Sequence, residues 1–214
     1  MIATILATGW SYLDWARSGR ERRVEGLAEL SASLPVESAP LSLELVSRDS
    51  SGIRVRARLF DLSGRELVLV ERSMPGSELR VEFLLSPLPA PPAAKGERWL
   101  VLPARLSTEL PESRGPLLLD SYDDAGFPAI YGGAPALGAP LDPARRTTLG
   151  ELYAKARRAA AKAGLPAPRD RSLPRKPAEY GAIFGEIRRV EDLAPGREYR
   201  IRCRSDGGVE ILGG

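Results

Sequence analysis

The chain reads as mainly β, α+β overall: an antiparallel β-sandwich-like core preceded by an N-terminal helix and followed by a helix plus a small β unit. Three observations predict this. Segments in which apolar and polar residues strictly alternate recur between residues 41 and 85, at the spacing of short antiparallel strands. Clusters of Gly, Pro, Asp and Ser separate them. Helical apolar spacing is confined to two stretches, one ending at Pro35 and one opening at Thr148.

Taken in order, the first helix runs to about Leu34, where Pro35 stops it, and Val24, Leu27, Leu30 and Leu34 mark its apolar face. Leu41–Leu45 alternates, and Arg48–Gly52 is turn material. Ile53–Leu59 alternates cleanly, with Ile53, Val55, Ala57 and Leu59 on one face and Arg54, Arg56 and Arg58 on the other. Asp61–Gly64 suits a short hairpin connection with glycine in the left-handed position. Leu67–Arg72 follows, then a turn at Met74–Gly76, and then Leu79, Val81, Phe83 and Leu85 point inward from another strand. The prolines of Ser86–Gly96 read as an interruption, a surface loop or polyproline excursion. Trp99–Leu102 resumes as a strand running past Pro103 to Leu106, and Leu117–Leu119 reads as one more. Thr148 and Glu151 have the spacing of a capping box at the start of the second helix, which Gly164 and Pro166 close. The chain ends with strands at Ile183–Val190, Glu198–Arg204 and Val209–Leu212, the last two joined at Asp206–Gly208.

These elements divide the chain into an N-terminal helix over 1–34 with a possible membrane-proximal segment, a β-sandwich-like domain over 36–131, a Gly/Pro-rich linker over 132–146, and a C-terminal part over 147–214 made of helix, basic Pro-rich linker and small β unit. The hairpin Leu59–Leu67 (LFDLSGREL) resembles the strand–turn–strand of fibronectin-III-like and other envelope β-sandwich modules. The resemblance covers nine residues; it implies a fold class and no function.

Composition excludes several chemistries. The 214 residues contain no histidine and one cysteine, Cys203. Nucleophile systems that use histidine as base cannot be built within the chain, nor can a zinc or copper site of the usual His or Cys ligands. An intrachain disulfide is impossible. Cys203 shares one strand face with Tyr199 and Ile201, as a buried structural thiol would. Asp120, Asp123 and Asp124 are the carboxylates that a hard cation would use, but their spacing does not fit an EF-hand and their Gly- and Pro-rich surroundings suit an exposed loop. No catalytic residue, metal or cofactor is expected.

Two features point to partners. Met1–Ala16 carries one charge, Asp14, and ends in interfacial aromatics followed by arginines; Trp10, Tyr12, Trp15, Arg17 and Arg20 have the order found where a helix leaves a bilayer. As a helix, 16 residues rise about 24 Å, short of the ~30 Å hydrocarbon core. The stretch therefore reads as the end of a spanning helix, an interfacial helix or a packed one. From Arg145 to Lys176 ten Lys and Arg face only Glu151 and Asp170, a net of +8 that leaves −5 for the rest of a chain totalling +3. Arg145, Arg146, Lys155, Arg158, Lys162, Arg169, Arg171, Arg175 and Lys176 are the candidate contacts to an anionic partner. The row Arg54, Arg56, Arg58 is expected to be neutralised across strands, with Glu78 and Glu82 as the partners.

Together these features lead to the expectation of a non-enzymatic, membrane- or envelope-associated interaction module, its partner a protein or a membrane surface rather than nucleic acid. The alternative is a cytoplasmic protein that binds an anionic partner (nucleic acid, lipid headgroups or an acidic protein) through residues 145–176. A carboxylate-dependent hydrolase or metal enzyme ranks last.

Overall fold

A computed structural model describes residues 19, 21–91, 96–110, 114–134, 139–162, 165–168 and 179–213, and among these eleven strands, two longer α-helices and two short helical turns build the fold. Residues 21–33 form α1, whose apolar residues Leu27 and Leu30 are buried together with Leu34 just past its end. Strands β1 (Glu37–Asp49), β2 (Gly52–Phe60) and β3 (Glu66–Met74) follow as an antiparallel meander. The chain then crosses to a second sheet with β4 (Arg80–Leu88), β5 (Arg98–Ser107) and β6 (Arg114–Leu117). The turn α2 (Leu118–Ser121), the small hairpin β7 (Asp123–Asp124) and β8 (Phe127–Pro128), and a 3-10 turn at Ala129–Tyr131 lead to α3 (Pro143–Ala160). The last strands are β9 (Phe184–Arg189), β10 (Glu198–Arg204) and β11 (Val209–Gly213).

One sheet has the order β11-β10-β1-β2-β3 and the other β6-β5-β4-β9. The five-stranded sheet buries alternate residues (Leu41, Leu43, Leu45; Val55, Ala57, Leu59; Tyr199, Ile201, Cys203) and leaves its other face wet. In the four-stranded sheet β4 is buried without a break from Phe83 to Leu88 and β5 from Arg98 to Ala104. These two strands are covered on both faces, and α2 and α3 contact β5 and β4. The sheets meet at a corner where the Trp99 amide donates to the Ser205 carbonyl at 2.7 Å and the Ser205 amide donates to the Val36 carbonyl at 2.7 Å. The mainly β fold with antiparallel sheets and a few helices is the one the alternation implies.

The C-terminal strands, read from sequence as a unit of their own, are divided between the two sheets: β9 pairs with β4, and β10 lies between β1 and β11. Local pattern finds such strands, but only the fold decides their neighbours.

Several local expectations change for identifiable reasons. β4 continues through Ser86 and Pro87 to Leu88; Pro87 lies opposite Trp99 and its carbonyl accepts from the Gly181 amide at 2.9 Å, just before β9 begins and beyond the β4–β9 ladder, where a missing N–H costs no ladder bond. Leu118–Ser121 is a helical turn, not a strand. The second helix begins at Pro143, not Thr148. Asp142 is its N-cap and accepts from the Arg145 amide at 2.9 Å, with proline in the first turn. The Thr148 hydroxyl instead donates to the Ala144 carbonyl at 3.2 Å, so the capping box is unused. The Asp61–Gly64 turn forms as expected: Asp61 Oδ1 accepts from the Ser63 and Arg65 amides, and Gly64 takes φ +82°. Glu109 braces the crossover from β3 to β4, accepting from the Ser77 amide at 2.7 Å and the Glu78 amide at 2.8 Å.

Candidate functional site

The acidic loop is already neutralised by a basic side chain. Asp120 stands on α2 and Asp123 on β7, and Arg157 reaches both from α3, with Nη2 at 3.0 Å from Asp120 Oδ1 and Nη1 at 2.7 Å from Asp123 Oδ2. The two carboxylates a cation would need are held apart by a guanidinium, and Asp124 points to solvent. Among the described residues no group of three or more His, Cys, Asp or Glu is placed to hold a metal. Arg157 was part of the basic run in the sequence, but its role as the clamp of this loop is visible only once α3 packs against the β7–β8 hairpin.

The basic run is dispersed by the fold. Arg145 lies by its own N-cap, with Nη1 3.3 Å from Asp142 Oδ2. Arg146 stacks over the Phe127 ring, 4.0 Å from its centroid. Lys155 is half-buried; desolvation lowers its ammonium pKa, and Arg23 and then Arg158 push the same way against Glu151. Arg158 and Lys162 are exposed. Arg169, Arg171, Arg175 and Lys176 lie outside the described residues, as do Trp10, Tyr12, Trp15, Arg17 and Arg20. No described helix is long and apolar enough to cross a membrane.

A feature the sequence did not disclose is the cation cluster that α1 and α3 make together. Gly26 of α1 stands against Thr148 of α3, and Arg23 lies beside Gly181 and near Lys155. Arg23, Lys155 and Arg158 thus converge from two helices at the end where the chain enters α1.

The exposed face of the five-stranded sheet is largely self-neutralised. Arg56 pairs with Glu44 at 3.0 Å and Glu71 at 3.1 Å, and Arg54 pairs with Glu71. The acids come from β1 and β3. Glu78 and Glu82, the expected partners, are on the other side of the crossover, where Glu78 meets Arg80 and Arg189.

The buried titratable groups serve structure. Tyr131 donates to the Val101 carbonyl at 2.9 Å, Tyr122 to the Pro103 carbonyl at 2.7 Å, and Tyr153 to the Leu119 carbonyl. Burial pushes all three phenols above the usual tyrosine range. Two of them seal the edge of β5, where β6 pairs only from Arg105 onward. Cys203 is buried, and burial pushes its thiol up to about 12.

A cleft of about 840 Å³ lies between the end of α1, the start of β1, the β2–β3 turn and the first turn of α3. Arg98, the first residue of β5, forms part of its wall and is 9% exposed. Its Nη2 donates to the Leu34 carbonyl at 2.8 Å and the Pro35 carbonyl at 3.0 Å, closing the C-terminal end of α1. The signal in the sequence was slight: an arginine opening the continuous apolar run of β5.

No family model, curated protein or solved structure matches this chain.

Proposed function

We propose that this protein is a non-enzymatic module of the cell envelope that docks on an anionic membrane surface. Arg23, Lys155, Arg158 and Lys162 would face the headgroups, and the segment ending in Trp10, Tyr12 and Trp15 would supply the tether. The observation that carries the reading is the convergence of Arg23 and Arg158 on the half-buried Lys155, at the end of α1 where the N-terminal segment joins. Like charges gathered at one end of a body, with Glu151 as the acid opposing them at Lys155 among the described residues, are relieved by an anionic surface. A non-catalytic role is supported by the state of the titratable groups. Burial holds the phenols and the thiol in their uncharged, unreactive forms, and Arg157 neutralises the densest carboxylate cluster.

Co-sedimentation of the full chain with phosphatidylglycerol-containing vesicles, against pure phosphatidylcholine vesicles, tests this. Each surface cation near an anionic membrane contributes about 1 kcal/mol. Replacing Lys155, Arg158 and Lys162 by glutamine should therefore weaken binding roughly 100-fold at low salt. Trp10→Asp with Trp15→Asp should reduce binding to both vesicle types if the tether inserts. Equal recovery on neutral and anionic vesicles, unchanged by the glutamine variants, would refute the docking surface. Preference for heparin or duplex DNA over anionic vesicles would favour the soluble anion-binding alternative.

A further inference from the structure

The geometry points to a second, independent site: the cleft walled by Arg98 binds a carboxylate carried on an apolar body, as in a fatty or aryl-alkyl acid. Arg98 is a buried cation that has no carboxylate partner among the described residues. Two donor contacts of its guanidinium, both from Nη2, go to main-chain carbonyls, and its other nitrogens make no hydrogen bond to the described residues. The C-terminal end of α1 offers at most about half a negative charge in compensation, and a buried charge without a full counter-charge is costly. Desolvation accordingly lowers the pKa of this guanidinium. Arg145 is on the same wall, and its Nε is buried with no acceptor.

The acids of the cleft are already paired with other cations. Glu37 Oε1 is 3.0 Å from Arg202 Nε, and Asp61 Oδ2 is 3.1 Å from Arg65 Nε, with Ser63 on its other oxygen. They do not neutralise Arg98, and they stand against a ligand with more than one negative charge. A carboxylate fits that balance where a phosphate dianion would not. Apart from Ser33 and Ser38, the rest of the wall is mostly apolar, including Val36, Pro40, Phe60, Leu62, Ile130 and Pro140. Val36 stands 73% exposed at the rim, where a substitution can alter the mouth without disturbing the core. A cavity of this size with a few polar groups in apolar walls is the usual form of a small-molecule site.

The test is calorimetric titration of the full chain, in the absence of vesicles, with monomeric decanoate, decan-1-ol and acetate. Decanoate should bind saturably at one site and raise Tm, decan-1-ol should bind at least about tenfold more weakly, and acetate should give no saturable heat. Losing charged hydrogen bonds to a ligand predicts a roughly 10- to 100-fold loss of decanoate affinity in Arg98→Met. Arg98 also caps α1, so Val36→Glu is the variant that keeps the test valid if Arg98→Met fails to fold: it puts an anion at the mouth on a side chain that supports no packing. It should weaken decanoate with Tm of the free protein unchanged. Equal affinity for decanoate and decan-1-ol, binding unaffected by either variant, or no saturable binding of decanoate would each overturn the proposal. Because no membrane is present, failure here leaves the docking surface untouched.

Discussion

Replacing Tyr131 by phenylalanine removes one oxygen from the protected edge of β5. That oxygen donates to the Val101 carbonyl at 2.9 Å and accepts from the Val101 amide at 3.4 Å. Val101 is 1% exposed, and β6 pairs with β5 only from Arg105, so no strand replaces the lost partner. Leaving a buried carbonyl unsatisfied costs about 1–3 kcal/mol. The amide contact, at the limit of hydrogen-bond distance, adds less than about 1 kcal/mol. The expected loss is roughly 2–3 kcal/mol, which for a chain of this size lowers Tm by about 4–12 °C. Urea denaturation should show a lower midpoint with an unchanged slope, since the surface exposed on unfolding is the same. Tyr180→Phe, at a half-buried phenol with no hydrogen bond among the described residues, should change stability by less than about 0.5 kcal/mol. A Tyr131→Phe effect equally small would refute the account of how this edge is sealed.

Glu109→Gln should destabilise the protein in a pH-dependent way. Amide donors from Ser77 and then Glu78 hold the Glu109 carboxyl down at about 2, against desolvation. A carboxyl lowered in the folded state stabilises above its unfolded pKa of about 4.3, and the contribution fades as pH falls toward 2. The difference between wild type and Glu109→Gln in urea should therefore be constant from pH 7 to 5 and shrink below that; a pH-independent difference would count against it. Cys203, 3% exposed with its thiol raised to about 12, should resist a chromogenic disulfide reagent in native buffer and react fully in denaturant. Rapid labelling of the native protein would contradict its place in the core.

Where one face of a strand is wet, the sequence disclosed it. Ile53–Leu59 and Tyr199–Cys203 alternate because their odd and even residues meet oil and water respectively, and both form strands with the expected inward residues. Pairing was legible only between neighbours in the chain. Glu78 and Glu82 were expected beside Arg54 and Arg56 because their strand comes soon after in sequence, but the β3–β4 connection changes sheets and leaves Glu44 and Glu71 as the partners. The second helix starts earlier than its capping-box spacing implies because two local signals compete. Asp142-Pro143 and Thr148-x-x-Glu151 both suit an N-terminus, and the Thr148 hydroxyl finds the Ala144 carbonyl only once the earlier start is taken. Arg98 was invisible as a site residue for a related reason: its burial depends on the arrival of the α1 terminus from 64 residues upstream.

α1 joins the two candidate surfaces and also keeps them apart. It lends Arg23 to the basic cluster at its beginning, and the Leu34 and Pro35 carbonyls just past its end rest on Arg98. Its 13 helical residues rise roughly 20 Å, more than two Debye lengths at physiological salt, which are about 8 Å each. Charges at one end should therefore be screened from the other. Lys155→Glu with Arg158→Glu should abolish vesicle binding and leave decanoate affinity within about twofold. Val36→Glu should weaken decanoate and leave vesicle binding alone. If either variant moved both readouts, the surfaces would not be independent, and α1 would have to be transmitting a change between them, since direct electrostatics across that distance are too weak to do so.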